Sequence, residues 1–240
     1  MAPRDCLLNP RGSGATNPAS GIYNGATMNE PMHMLRRAAT AHTLLEENAG
    51  NDPFALFKTW VADARTGDEE EPTACSLATV REDGGPAVRM VLLKALEDSA
   101  FVFYTPSSGR KGRELALRPQ AALCFFWHEM HRQVRVEGEV SVVPKAIADE
   151  YFATRSRESQ IGAWASPQSQ VLPDRGTLDQ RVTHWTKQFE GGDVPRPDTW
   201  CGFALHPKRI EFWQGRESRL HDRLLFEENG DDWTRVRLAP

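Results

Sequence analysis

From residue 54 the apolar positions recur at helical spacing, and Phe54, Phe57, Trp60, Val61 and Ala64 fall on one face. Asp52-Pro53 just before them supplies an N-cap followed by proline at the first helical position. The period then shortens. Residues 74 to 81 and 86 to 94 flank Glu82-Asp83-Gly84-Gly85, a hairpin signal, and a third strand follows at 100 to 104. Ser107-Ser108-Gly109 leads into a short helix that Pro119 stops, and strands follow at about 121 to 127 and 132 to 143. In the second of these Val134, Val136, Gly138 and Val140 alternate with Arg135, Glu137 and Glu139, the two-residue period of a half-buried strand. Pro144 opens a helix to about Arg155, a short helix covers 159 to 164, and another runs from about 178 to 189. Strands near 200 to 205, 209 to 214, 219 to 226 and 233 to 238 finish the chain. Consecutive strands with short turns, broken by helices only in places, predict a mainly β fold: an antiparallel barrel with peripheral helices.

Residues 1 to 32 are rich in Gly, Pro, Asn, Ser and Ala without hydrophobic periodicity, the pattern of a disordered tail, which leaves 33 to 240 as a single domain. Met28, Met32 and Met34 are alternative starts. Composition is that of a soluble globular protein, 40% hydrophobic and 26% charged over 240 residues. A net charge of −4 argues against a general nucleic-acid binder, so any basic site is local. Cys6, Cys75, Cys124 and Cys201 are widely spaced and form no C-x-x-C pair, which fits a reducing, cytoplasmic compartment. The chain has no apolar run long enough to span a membrane and no apolar core of a signal peptide at its N-terminus, so neither a span nor export is expected.

Three constellations suggest chemistry. On a strand over 219 to 226, Arg219, His221 and Arg223 share one face, a row of cations that repel each other unless something anionic covers them. A solvated edge strand is the plainer account of such a row, but Phe212 and Trp213 add an aromatic surface beside it that such an edge does not need. Tyr151, Arg155 and Ser159 lie at i, i+4 and i+8, and on a continuing helix they would present a phenol, a guanidinium and a hydroxyl together, suited to a phosphate monoester. Spacing alone favours an exposed amphipathic helix for that trio. Arg110 and Lys111 follow Ser108-Gly109 at a helix start, where an unpaired basic pair opposes the helix dipole and so hints at a bound anion. His128-Glu129-Met130-His131 is one residue short of the spacing that puts two imidazoles on one helix face, and no metal site is expected there.

The run from Ile210 to Arg223, with Arg237-Leu238-Ala239-Pro240 at the end, resembles the C-terminal signature of the pyridoxine (pyridoxamine) 5′-phosphate oxidase family, FMN enzymes that make pyridoxal 5′-phosphate. The likeness covers roughly residues 52 to 240 and more weakly begins near 35. It includes Arg89-Met90-Val91-Leu92-Leu93-Lys94, Arg132-Gln133-Val134-Arg135-Val136-Glu137-Gly138, Ser159-Gln160-Ile161-Gly162-Ala163-Trp164 and Gln168-Ser169. The resemblance implies a split-barrel flavin-binding fold. It also implies a homodimer in which each FMN touches both subunits, and oxidation of pyridoxamine 5′-phosphate or pyridoxine 5′-phosphate by dioxygen with release of hydrogen peroxide. It assigns Arg89, Arg110 and Lys111 to the FMN phosphate, and places Met90, Val91, Leu92, Leu93, Lys94, Tyr104, Thr105, Gln133, Gln168, Ser169, Trp213 and Arg223 around the flavin. Lys94, Tyr151, Arg155 and Ser159 would hold the substrate phosphate, with Arg219 and His221 as the catalytic pair on the substrate ring.

One point of parity needs a structural answer: Arg89 and Lys94 are five apart, so a regular strand would face them oppositely unless a bulge or a strand end intervenes. The chain also departs from the family pattern. An Arg-Arg-x-Tyr segment that folds over the substrate is here Arg36-Arg37-Ala38-Ala39, and the lost phenol implies a weaker lid or weaker substrate affinity. Ser156 stands where a proline is common, which implies a looser turn. Two other functions remain open, a non-catalytic carrier of FMN or pyridoxal phosphate and a split-barrel flavoprotein with a different substrate. Retention of Arg219 and His221 argues against the latter.

Overall fold

The computed structural model describes residues 42–67 and 69–240. The tail expected over residues 1–32 and the Arg36-Arg37-Ala38-Ala39 segment lie outside the described residues. After a four-residue turn of helix, α1 (Glu46–Ala49), the chain enters α2 (Pro53–Thr66), where the Asp52 carboxylate accepts the Phe54 amide at 2.8 Å and Pro53 occupies the first turn, as the sequence signalled.

Nine strands follow: β1 (Ala74–Val80), β2 (Pro86–Leu92), β3 (Ala95–Glu97), β4 (Ala100–Pro106), β5 (Gln120–Trp127), β6 (Arg132–Val142), β7 (Trp200–Gln214), β8 (Asp222–Asn229) and β9 (Asp232–Arg237). The helices α3 (Arg110–Leu117), α4 (Lys145–Ala153), α5 (Arg157–Ala165) and α6 (Arg175–Gln188) lie between them. All strand pairs are antiparallel, in the order β2-β1-β5-β6-β7-β4-β3, with β8 on β7 and β9 on β8. The sheet curls around α2. Phe57 meets Phe101 of β4 at 5.0 Å and Phe125 of β5 at 4.9 Å between ring centroids, while Trp60 meets Phe212 of β7 at 5.2 Å. One helix touching strands so far apart in sheet order requires that curl. Burying each such aromatic contributes roughly 1.5–3 kcal/mol.

Two strands expected near 200 to 205 and 209 to 214 are one. Pro207 lies in the gap between them, and the structure absorbs it in a bulge: Glu137 pairs with Arg209 and Gly138 with Pro207, so Lys208 is the extra residue. A proline has no N–H to lose from the ladder at such a place. The short β3 was not expected. It is closed by Asp98 and Ser99, both at positive φ (46° and 60°), in a two-residue hairpin turn.

Two helices are found where two were expected, α4 and α5, so the continuing helix that would put Tyr151, Arg155 and Ser159 on one face does not form. Thr154 turns its hydroxyl back to the Tyr151 carbonyl at 2.8 Å, and Ser156 caps α5, its hydroxyl accepting the Ser159 amide at 3.3 Å. That cap does the work of the missing proline in defining the turn.

Gly138 sits opposite the bulge, where a Cβ would overlap the backbone carbonyl of His206. Gly138→Ala should therefore destabilise the fold by about 2 kcal/mol, the range for overpacking a tight site. Urea unfolding would show a lower midpoint with an unchanged slope.

Candidate active site

β4 ends in two neighbours that face opposite ways. Thr105 is buried inside the curl and Tyr104 lies on the outer side against α4 and Trp200. The loop after β4 then folds over the first turn of α3, which only a glycine at 112 permits, because a Cβ there would come within 2.5 Å of the Ser107 carbonyl. Lys111 points back from that turn. Its Nζ lies 2.6 Å from Oε1 of Gln168 and 3.1 Å from the Thr105 hydroxyl, which itself donates to the same Oε1 at 3.0 Å. Burial lowers the Lys111 pKa, and the charge of Arg89 adds to that. The structure thus gathers Thr105, Lys111 and Gln168, with Ser169 next along the chain at φ 69°.

Beside them Arg110 is not the unpaired cation that the sequence suggested. Glu114, four residues on, accepts from Arg110 Nε at 2.9 Å and from Arg89 Nη2 at 2.8 Å, and Thr79 donates to the same carboxylate. Burial pushes the Glu114 pKa up, but hydrogen bonds from Thr79, Arg110 and Arg89 together hold it below its ordinary value. Arg89 and Arg110 share one carboxylate, and Lys111 stands near enough to feel its charge, so three cations face one anion. The local excess of about two positive charges matches a phosphate monoester, which carries about −1.5 to −2 at neutral pH. The first turn of α3 beside them has no side-chain cap, so its amides add donors and the set fits an anion.

The parity question resolves at a strand end. Arg89 points inward from β2 while β2 stops at Leu92, so Lys94 lies beyond the strand, its amide bonded to the Val102 carbonyl at 2.8 Å and its side chain exposed. Val91 packs against the core, Leu93 is buried, Leu92 is half-buried, and Met90 on the outer face is 63% exposed.

On the outer side of β4 the rings of Tyr104, Tyr151 and Trp200 stack, Tyr104 lying 4.1 Å from Tyr151 and 5.0 Å from Trp200. The Arg155 guanidinium sits 4.9 Å above the Trp200 ring. Burial lowers its pKa, and its Nη1 is buried with no hydrogen-bond partner among the described residues. A buried charged donor left unmatched is costly and marks a place for an acceptor. The helix break still leaves Tyr151 and Arg155 together, while Ser159 opens α5 with its hydroxyl 3.0 Å from that of Ser156.

The cation row takes a different form from the expected strand face. Glu217–Arg219 forms a 3₁₀ turn, with Ser218 and Arg219 at φ 55° and 63°, and β8 begins only at Asp222. Arg219 is exposed at the tip of this loop. His221 lies under it with its ring 4.6 Å from that of Trp213, and its Nδ1 accepts the Arg216 amide at 3.0 Å. Because that amide can only donate, the neutral imidazole carries its proton on Nε2. Arg223, in register with Trp213, which in turn pairs with Gln133, spends Nε and Nη2 on Glu211 at 2.8 and 3.1 Å and Nη1 on the Ala239 carbonyl. Glu211 also meets Arg135, and although burial raises its pKa, the bond to Arg223 and the two positive charges lower it overall.

Two groups of candidate residues therefore occupy opposite ends of β7. Trp200 and Trp213 stand 13 residues apart on it, roughly 40 Å of strand path at about 3.3 Å per residue.

The model of the family described as pyridoxamine 5′-phosphate oxidase matches residues 65–189, more than half of the chain. The chain belongs to the pyridoxamine 5′-phosphate oxidase family. A second model, the C-terminal dimerisation region of pyridoxine 5′-phosphate oxidase, matches residues 200–240. The pyridoxine/pyridoxamine 5′-phosphate oxidase of Rubrobacter xylanophilus is 49% identical over 206 residues, covering 86% of this chain and 95% of that protein. That of Leptospira interrogans is 46% identical over 214 residues, covering 89% and 100%. Among solved structures, PhzG from Burkholderia lata 383 in complex with tetrahydrophenazine-1-carboxylic acid superposes with a TM-score of 0.79 at 31% identity, covering 85% of this chain and all of that one. A pyridoxamine 5′-phosphate oxidase-related, FMN binding protein from Nostoc punctiforme has a TM-score of 0.64 at 17% identity, covering 80% and 100%, and shares the split-barrel fold.

Glu114, Thr79, Glu211 and Arg216 were not singled out in the sequence. Glu114 left a signal, lying four residues after Arg110 on one helix face. Glu211 and Arg135 meet only across a strand register.

Glu114→Gln keeps the shape but removes the charge that Arg89 and Arg110 share. A cost of about 2 kcal/mol is expected at pH 7, below the 3–5 kcal/mol of a fully buried pair because Arg110 is half exposed. The folded-state pKa of Glu114 is depressed, so its contribution is complete above the ordinary value of 4.5 and is lost as pH falls through the depressed one. Urea unfolding at pH 7 and near pH 3 should show the gap between wild type and variant narrowing at the lower pH.

Proposed function

We propose that the chain oxidises pyridoxamine 5′-phosphate and pyridoxine 5′-phosphate to pyridoxal 5′-phosphate with FMN as cofactor and dioxygen as acceptor, releasing hydrogen peroxide. The oxidase activity itself follows from the family and from relatives 46–49% identical over most of the chain. It acts as a homodimer, since the chain carries the family's dimerisation region, and each pocket takes residues from both ends of β7.

In this reading Arg89, Arg110, Lys111 and the first turn of α3 hold the FMN phosphate, and Thr105, Gln168, Ser169, Gln133, Trp213 and Arg223 line the flavin with residues 90–94. When bound, the flavin supplies the redox chemistry, taking two electrons from the substrate and giving them to dioxygen. What the protein contributes is position. The Arg155 guanidinium, with Tyr151, Ser159 and Lys94, takes the substrate phosphate and fixes one end of the ring. Arg219 covers the ring from the loop tip, and His221, protonated on Nε2, offers a hydrogen bond beside the reacting substituent. Holding the carbon in reach is worth far more than any one of these contacts.

The observation that carries the phosphate assignment is the orphaned Nη1 of Arg155 above Trp200. The second reading is a split-barrel oxidase acting on a tricyclic carboxylate like the ligand held by PhzG, whose carboxylate could also meet that donor; the relatives named pyridoxine/pyridoxamine 5′-phosphate oxidase, 46–49% identical, favour the first. The lower identity of that protein, 31%, points the same way.

The purified protein should be yellow, dimeric and close to one FMN per chain, and should release peroxide when pyridoxamine 5′-phosphate is added in air. Colourless protein that takes up no FMN would remove the cofactor assignment, and yellow protein that releases no peroxide would favour a carrier. Arg155→Ala should raise KM roughly 10- to 100-fold, the loss of a charge-assisted hydrogen bond of about 1.5–3 kcal/mol. Arg219→Ala should lower kcat/KM by about 10²-fold with flavin content unchanged, the scale of a lost positioning contact. Loss of flavin and activity together would place Arg219 on the cofactor instead.

A further inference from the structure

We propose that Asp222 is a positioning residue that clasps the loop carrying Arg219 and His221, and that it does so together with the segment over residues 42–50. The proposal rests on the reading that Arg219 and His221 face the substrate, and goes beyond it by naming what holds them there.

The loop cannot hold its own shape. Ser218 and Arg219 are consecutive non-glycine residues at φ 55° and 63°, a conformation that persists only when the surroundings over-determine it. Within the loop there is little to do so: the Leu220 amide reaches the Glu217 carbonyl at 3.1 Å, and the Arg216 amide reaches His221. Its two ends, however, meet at one carboxylate. Arg216 at the start places Nη1 3.5 Å from Oδ2 of Asp222 at the end. The same Nη1 donates to the His42 carbonyl at 3.2 Å, and Oδ2 of Asp222 accepts the Leu44 amide at 3.2 Å. The other oxygen, Oδ1, accepts from Arg237 Nη1 at 3.0 Å. Arg237 in turn grips Glu46 with Nε and Nη2, each 2.7 Å from a carboxylate oxygen, and bonds the Leu44 carbonyl at 2.9 Å. Arg235 on the same strand holds the Glu46 and Gly50 carbonyls.

Among the described residues, partners more than 170 positions away in sequence are thus stitched beside the loop through Arg216 and Asp222. Isolated ion pairs at such half-exposed positions contribute little, but these share donors and acceptors with backbone groups on both sides. The clasp sets where the Arg216 amide sits, and that amide fixes the ring and tautomer of His221. Opening it should leave His221 present but misplaced.

The full-length holoenzyme tests this with Asp222→Ala, Asp222→Asn, Glu46→Gln and His221→Ala. KM and kcat for pyridoxamine 5′-phosphate, flavin per chain and the ¹⁵N shifts of the His221 ring are measured on each. Asp222→Ala should raise KM about tenfold, with kcat within about threefold and flavin unchanged, and should move the ring from one tautomer toward a mixture. Asp222→Asn keeps an acceptor for the Leu44 amide and should recover part of that loss, while Glu46→Gln, remote from the loop, should raise KM about two- to threefold. Should Asp222→Ala fail to fold, the graded pair decides alone. An unchanged KM and an unchanged tautomer in the Asp222 variants, with His221→Ala impaired, overturns the clasp. Wild-type constants in His221→Ala overturn the reading of the site instead, and the ring shifts in the other variants still report whether the clasp holds the loop.

Discussion

A single strand of 15 residues, β7, is the element on which the rest of the molecule depends. It pairs with β6 along nearly its whole length, with β4 through its first half and with β8 through its second. One continuous strand therefore belongs to two neighbourhoods, and the sheet must curl for both to close. The extra residue Lys208 lies between the two halves, where a bulge bends the strand and strengthens its twist. Each candidate group is hung on one half: Trp200 stacks with Tyr104 and Tyr151 at one end, and Trp213 packs on His221 beside Arg223 at the other.

Both ends use the same electrostatic device, a buried carboxylate shared by two arginines. Glu114 is held by Arg89 and Arg110, and Glu211 by Arg135 and Arg223. Neither pairing is a strong argument for stability, because desolvating three charges offsets much of the attraction. Their effect is geometric. A flexible cationic side chain bonded through Nε or two nitrogens to a fixed acceptor loses its rotamer freedom before any ligand arrives, so little remains to be lost on binding. Lys111, tied to Thr105 and Gln168, is restrained in the same way by neutral groups.

Local chemistry was legible in the sequence wherever it decided the outcome alone. Asp52-Pro53 starts α2, Glu82-Asp83-Gly84-Gly85 makes its turn with Gly84 at φ 83°, and the alternation from Val134 to Val140 gives β6. Thr105 and Lys111 meet Gln168, far from both in sequence, in hydrogen bonds that no local pattern could show. Errors arose where a local signal met a tertiary one. Pro207 reads as a break unless Gly138 is known to lie opposite; Arg219, His221 and Arg223 read as one strand face unless a turn holds Ser218 and Arg219 at positive φ. The break between α4 and α5 was legible, and the Ser156 cap that starts α5 is what separates Ser159 from the face of Tyr151 and Arg155.

The same strand parity that places the inner residues also fixes what is left outside. Turning Arg89 inward to Thr79 and Glu114 forces Val88 and Met90 outward, where they are 71% and 63% exposed. On β5 the burial of Phe125 and Trp127 likewise leaves Phe126 outward, 55% exposed. Large apolar side chains on one face of β2 and β5 are thus a consequence of building the Arg89–Glu114 cluster and the core on the other, and a single chain has nothing further to cover them with among the described residues. The match of residues 200–240 to a dimerisation region points to a second copy of the chain as the cover, and joining two copies there would remove that apolar surface from water.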